Sequence, residues 1–180
     1  MPRTGDGWGV DEIVGALASG AERPLGPTVA VSQLDHALQT AALLARERPG
    51  DTELAVAGLV HDIGHLLPGG SGDRHAADGA AAVRGVLGER VAGIVELHVE
   101  AKRYLVATDP GYGDVLERDS VVSLGRQGGA LSDEEARAFL TLERAEDAVL
   151  LRRADDTAKV DGLVVDGLDR WVTVLAGLMR

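Results

Sequence analysis

Thr52-Glu53-Leu54-Ala55-Val56-Ala57-Gly58-Leu59-Val60-His61-Asp62-Ile63-Gly64-His65 decides how the rest of the chain is read. Residues 54–60 are apolar on every side. A helix over Thr52–His61 therefore has no solvent face and belongs in the centre of a domain. Asp51 is a fair N-cap for it, directly after Pro49-Gly50, which stops whatever precedes. The helix closes on His61 and Asp62. A charged carboxylate at the end of a buried helix is costly unless it is paired or metal-bound, so Asp62 asks for a partner.

Upstream, Val31, Leu34, Leu38, Ala41, Ala42 and Ala45 recur at threes and fours, which predicts a helix from Val29 to Arg46 carrying His36. Downstream, Pro68–Gly72 reads as a loop, and Asp73 as the cap of a helix over Arg74–Leu87 that His75 opens. A further helix, Arg90–Ala107, carries Val91, Ile94, Val95, His98, Val99 and Leu105. Residues 108–131 are broken by Pro110, Gly111, Gly113, Gly125, Gly128 and Gly129. They read as a long loop with one helical turn at Ser120–Leu124, and such loops are often functional. Ser132-Asp133-Glu134-Glu135 fits a capping box, and helices follow at Ala145–Lys159 and Leu168–Met179. Near the start, a short helix Val10–Ala18 sits in a Gly- and Pro-rich stretch. No alternating strand pattern is found. The expected class is all-α, a single domain with an N-terminal extension over residues 1–28 and a helical bundle over 29–180.

Composition agrees with that class. Hydrophobic residues make up 45% of the 180, and the aromatics are only Trp8, Trp171, Tyr104, Tyr112 and Phe139, so Ala, Leu and Val must build the core. The absence of cysteine removes disulfides, thiolate nucleophiles, zinc fingers and iron–sulfur clusters. A formal net charge of −11 argues against nucleic acid as a partner. There is no apolar run of about 18 residues to span a membrane. Met1–Asp11 also lacks the basic-then-apolar order of a signal peptide. A cytoplasmic protein, monomer or homodimer, is the expectation.

Four of the five histidines, His36, His61, His75 and His98, lie in or at the edge of apolar helical segments, and His65 follows Asp62. Alone, each reads as a hydrogen-bonded core residue, and Asp155-Asp156 reads as a solvated helix face. Jointly they read as a metal centre. Imidazole and carboxylate suit Fe, Mn, Co or Zn. His36, His61, Asp62 and one late aspartate complete a single site. His75 and His98 are then left over, and would supply a second ion bridged by Asp62.

With those residues in view, Gly58-Leu59-Val60-His61-Asp62-Ile63-Gly64-His65, His36 upstream and the late Leu151-Arg152-Arg153-Ala154-Asp155-Asp156-Thr157-Ala158-Lys159 resemble the HD-domain superfamily. More narrowly, the chain resembles the HD-domain diiron oxygenases, the group of myo-inositol oxygenase and the phosphonate-cleaving enzymes. Ser32-Gln33-Leu34-Asp35-His36, His98-Val99-Glu100-Ala101-Lys102-Arg103-Tyr104-Leu105, and Ser120–Leu124 leading to Gln127-Gly128-Gly129 suggest the phosphonate branch. The resemblance covers roughly residues 30–160.

It implies two irons, a mixed-valent Fe(II)/Fe(III) pair. His36, His61, Asp62 and Asp155 would hold one and His75 and His98 the other, with Asp62 bridging. Asp155 is preferred to Asp156 because the family's ligand precedes a lysine by four positions, here Lys159. His65, Lys102, Ser120 and Arg152 fall at positions that hold the phosphonate, with His65 and Lys102 at the reacting centre. The implied reaction uses O2 to cleave the carbon–phosphorus bond of a 1-hydroxyalkylphosphonate, giving phosphate and a carboxylic acid. The alternative is an HD-type metal-dependent phosphohydrolase acting on a nucleotide or small phosphate ester. It accounts for His36, His61, Asp62 and Asp155 but not for the Lys102, Ser120 and Gln-Gly-Gly spacing. A non-catalytic module would have little reason to keep six such costly groups.

One departure bears on the substrate. The phosphonate branch has a tyrosine and a glutamate ten and seven residues before its first ligand histidine, where this chain has Gly26 and Val29. In the family that glutamate recognises the substrate's amino group. A phosphonate with a different or absent amine follows. The spacing from His61 to His75 is also short for the branch, and Ala76 replaces its usual acidic neighbour.

Overall fold

A computed structural model describes residues 8–27, 29–69 and 72–178. Its first helix, α1, spans Val10–Ser19. Two short antiparallel strands follow, β1 (Pro24–Gly26) and β2 (Val29–Ser32). The bundle consists of α2 (Gln33–Glu47), α3 (Thr52–Val60), α4 (His75–Thr108), α5 (Arg118–Arg126), α6 (Asp133–Phe139), α7 (Ala145–Thr157) and α8 (Leu168–Leu178). The all-α expectation holds, with the strand pair as a minor addition. Among the described residues no helix is long and apolar enough to cross a membrane.

The central helix is the one expected. Every residue of α3 from Leu54 to Val60 is buried, and Asp51 caps it by accepting from the Leu54 amide at 3.1 Å. Burying such side chains contributes roughly 1.5–3 kcal/mol for each Leu or Val. α2 and α4 pack on α3, and α7 packs on α4 and α2. One core cluster unites Leu38, Leu44, Leu59, Val83, Ile94 and Leu151 with Ile13 and Leu17 of α1. The described part of the N-terminal extension therefore packs into the same core as the bundle; residues 1–7 and 28 lie outside the described residues.

Several boundaries differ from the sequence expectation. The helix expected from Val29 begins at Gln33, because Val29–Ser32 pairs with Pro24–Gly26 as a strand and Ser32 then caps α2 at the Asp35 amide. The two helices expected over 74–107 are the two parts of α4, which breaks at Gly88. Gly88, at φ +87°, bends α4 in a backbone region that glycine enters without a Cβ penalty. Arg74 is its N-cap, and Asp73 instead pairs with Arg126 at 3.4 Å. The long loop contains a 3₁₀ turn at Gly113–Val115 and nine residues of α5 where one turn was expected. The Ser132–Glu135 capping box forms as read. Met179, the expected end of α8, lies outside the described residues, as do Gly70 and Ser71 of the loop before α4.

Candidate metal centre

Four elements carry the six candidate ligands to one place: α2 brings His36, the end of α3 His61 and Asp62, α4 His75 and His98, and α7 Asp155. Close backbone approach makes this convergence possible. Asp62 opens a 3₁₀ turn, Ile63–Leu66, that lies against the start of α4. A Cβ on Gly64 would sit 2.0 Å from the His75 carbonyl oxygen, so only glycine lets the two backbones meet there.

Each of the four helical histidines is fixed by its Nδ1. His36 Nδ1 donates to the Ala158 carbonyl at 2.8 Å, His61 to Gly58 at 2.7 Å, His75 to Gly72 at 2.7 Å and His98 to Val95 at 2.6 Å. A carbonyl only accepts, so each Nδ1 carries a proton, and in the neutral ring Nε2 presents a lone pair. The four Nε2 atoms then face one another in pairs, His36 against His61 at 3.2 Å and His75 against His98 at 3.0 Å. Two lone pairs at that distance repel unless a cation lies between them. Ring nitrogens that each approach a common ion to about 2.1 Å stand within about 4 Å of one another, as both pairs do. A carbonyl on the far nitrogen is also how metal-bound imidazoles are held.

Asp62 lies between the pairs. Its Oδ2 is 3.5 Å from His61 Nε2 and 3.9 Å from His36 Nε2. Its Oδ1 is 3.5 Å from His75 Nε2 and 3.7 Å from His98 Nε2. Two donor sets share this one carboxylate: His36, His61 and Asp62, and Asp62, His75 and His98. Asp155 joins the first, with Oδ1 3.2 Å from His36 Nε2 and Oδ2 3.8 Å from His61 Nε2. The donors are all nitrogen and oxygen, which fits iron or manganese and gives a thiophilic metal nothing to bind.

The electrostatics agree. Burial alone would raise the Asp62 carboxyl, but His61, His65 and His75 hold it well below the ordinary carboxylate range. Burial likewise opposes the charge of Asp155, and the Arg152 cation overcomes it. Burial, with His75 and His61 as neighbours, keeps His98 well below its ordinary value, a neutral imidazole ready to ligate.

The cage opens into a cavity of about 430 Å³. Its wall includes His65, Lys102, Ser120 and Arg152, the four residues expected to hold an anion, together with Gly26 and Val29. His65 stacks on His75 with ring centroids 4.1 Å apart. Lys102 is buried, and its Nζ donates to Ser123 Oγ at 2.8 Å. Ser123 in turn donates to the Ser120 carbonyl at 3.0 Å. Arg152 NH1 is 2.7 Å from Asp155 Oδ2, and its Nε lies 3.1 Å from both the Tyr112 hydroxyl and Asp156 Oδ2. Asp156 thus serves Arg152 and Tyr112, while Asp155 faces the histidines. Sequence reasoning missed Ser123 and Tyr112. Ser123 lies three residues after Ser120 on a helix face, a spacing that could have flagged it; Tyr112, between two glycines, carries no such signal.

Residues 34–159 match the HD domain. The chain belongs to the HD-domain family. Within it, the chain is 40% identical over 152 residues to a hydroxymethylphosphonate dioxygenase of Gimesia maris, covering 79% of this chain and 75% of that protein. It is 32% identical over 158 residues to the glycine-betaine-forming [1-hydroxy-2-(trimethylamino)ethyl]phosphonate dioxygenase of Leisingera caerulea, covering 82% and 79%. It is also 31% identical over 150 residues to an uncharacterized protein of Acanthamoeba polyphaga mimivirus, covering 78% and 68%. This HD-domain protein is an enzyme of the oxygenase kind, built around a metal centre.

Proposed function

We propose that the HD-domain protein is a diiron dioxygenase that cleaves the carbon–phosphorus bond of a small 1-hydroxyalkylphosphonate without an ammonium group, hydroxymethylphosphonate being the first candidate. The facing Nε2 pairs about one shared carboxylate carry the reading, because they call for two cations and not one. His36, His61, Asp62 and Asp155 would hold one iron, and Asp62, His75 and His98 the other. Bound there, a mixed-valent pair would supply redox chemistry toward O2.

The chain's own residues do the rest. Lys102 and Arg152 offer cations, and His65 and Ser120 offer hydrogen-bonding groups, to a phosphonate dianion lying over the cage. Fixing that dianion orients the hydroxyl-bearing carbon toward the metals. The local cations matter here; the protein's net charge of −11 does not. Val29 and Gly26 carry no group to receive an ammonium, although Glu117 and Asp119 put carboxylates on the same cavity wall. The relative at 40% identity, named for hydroxymethylphosphonate, supports the amine-free choice.

One O2 and hydroxymethylphosphonate balance as phosphate, formate and one proton. Aerobic incubation of iron-loaded protein, followed by phosphorus NMR and an oxygen electrode, is expected to give phosphate and formate in equal amounts with one O2 consumed. Turnover of 2-amino-1-hydroxyethylphosphonate is expected to be slower. Equal turnover of the two removes the case for an amine-free substrate. Anaerobic release of phosphate from an ester, with no oxidation of the phosphonate, would identify a phosphohydrolase instead.

A further inference from the structure

Behind the cavity wall, Tyr112 and Asp156 are two side chains that the proposed chemistry leaves unused, and both meet Arg152. Arg152 is 5% exposed and Tyr112 is 5% exposed, and the Tyr112 ring packs with Leu105 and Leu116. The Tyr112 hydroxyl donates to Asp156 Oδ2 and accepts from Arg152 Nε, and Arg152 NH2 donates to Asp156 Oδ1. Arg152 NH1, on the other edge of the guanidinium, meets Asp155 Oδ2 at 2.7 Å. A guanidinium is a rigid planar fork, so fixing one edge fixes the direction of the other. With Oδ2 of Asp155 taken, its Oδ1 faces His36 at 3.2 Å and the Lys159 ammonium at 3.8 Å.

We propose that Tyr112 and Asp156 form a clamp that positions Arg152, and through it Asp155, so that the clamp tunes the protein's hold on one metal ion of the pair. The proposal rests on the two-ion reading of the cage. Neither Tyr112 nor Asp156 lines the cavity, so both are positioning residues. The clamp reaches Asp155 alone among the six ligands; His75 and His98 hang from the Gly72 and Val95 carbonyls. Its effect is therefore confined to the ion that Asp155 would hold. Removing a group that orients a ligand typically costs 10–100-fold in metal affinity.

The test uses the full chain and ferrous iron under anaerobic conditions, with both binding constants measured by competition against a chromophoric chelator. Tyr112→Phe removes only the hydroxyl and keeps the packed ring; Asp156→Asn keeps the shape and removes the charge. In both variants one constant is expected to weaken by about 10–100-fold while the other stays within about twofold. The metal-free melting temperature of Tyr112→Phe is expected to match that of the wild type. Two unchanged constants in both variants overturn the clamp, as does equal weakening of both. A metal-free Tyr112→Phe protein that melts far below wild type, or does not fold, makes the hydroxyl a fold contact and also overturns it. A wild type that binds fewer than two ions overturns the cage reading itself, before any variant is compared.

Discussion

The floor of the cavity and its α5 wall are held in different ways. On the floor, His36, His61 and His98 are at most 1% exposed, and each is tied by Nδ1 to a backbone carbonyl. They are core residues as much as candidate ligands. On the wall, α5 buries none of its residues fully, and Val121 and Val122 are 48% and 54% exposed. α5 meets the bundle through the Lys102–Ser123 hydrogen bond and through partly buried Leu124 against the Leu105 cluster. A floor residue cannot change without disturbing both packing and metal binding, whereas a wall residue can change at small cost. The two dioxygenase relatives are named for different phosphonates.

The contrast breaks first at Asp62. Asp62→Ala removes the carboxylate that faces all four Nε2 atoms. Turnover is expected to fall by at least about 10³-fold and iron content to drop with it, since in the proposed diiron cage this one ligand would serve both ions. Near-normal iron content would mean that the carboxylate does not bridge.

On the wall side, Lys102→Met is expected to lower kcat/KM by about 10²-fold, mostly through KM, with both irons retained. A pH profile sharpens the point. Burial, and then the neighbouring Arg152 cation, lowers the Lys102 ammonium to about 8. The cation is present below that pH and lost above it, so KM for a phosphonate is expected to rise about tenfold per pH unit beyond it. The methionine variant is expected to lack that rise.

Gly64→Ala probes how the floor is assembled. The new methyl meets the His75 backbone, and the expected loss of stability is about 1–3 kcal/mol, read by denaturant titration. Iron affinity is expected to fall too, because Asp62 and His75 are pushed apart.

The smallest effect lies outside the site. Arg90 grips both oxygens of Asp51 at 2.6 Å and reaches Asp147 at 3.0 Å, tying α3, α4 and α7 together. Asp51→Asn keeps the cap of α3 and removes the charge. A loss of about 1 kcal/mol is expected at neutral pH, since the pair is partly solvent-screened. The Arg90 hydrogen bonds hold the Asp51 carboxyl below its ordinary value. Its contribution is therefore complete above the unfolded value near 4 and is lost as pH falls through the folded value. Melting curves of wild type and variant are expected to converge in acid.

Much of the floor was legible because its chemistry conflicts with its surroundings. Histidines and a carboxylate inside apolar helices, His61-Asp62 above all, stand out against Leu54–Val60. The two helices on either side of Gly88 were also legible, since each has its own apolar stripe. The start of α2 was not, because Val29 and Val31 suit a strand and a helix equally and only pairing with β1 decides. The α5 wall was obscured by the glycines around it and by the lack of any fully buried stripe. Tyr112 was hidden because its role arises from contacts with residues 40 and 44 positions away.

The most direct test is the metal content and magnetic state of the iron-loaded chain, by elemental analysis with EPR and Mössbauer spectroscopy. Two irons per chain with a spin-coupled mixed-valent signal, altered by adding hydroxymethylphosphonate, are the predicted result. One ion per chain, or two with no magnetic coupling, would contradict a cage in which a single aspartate joins two histidine pairs.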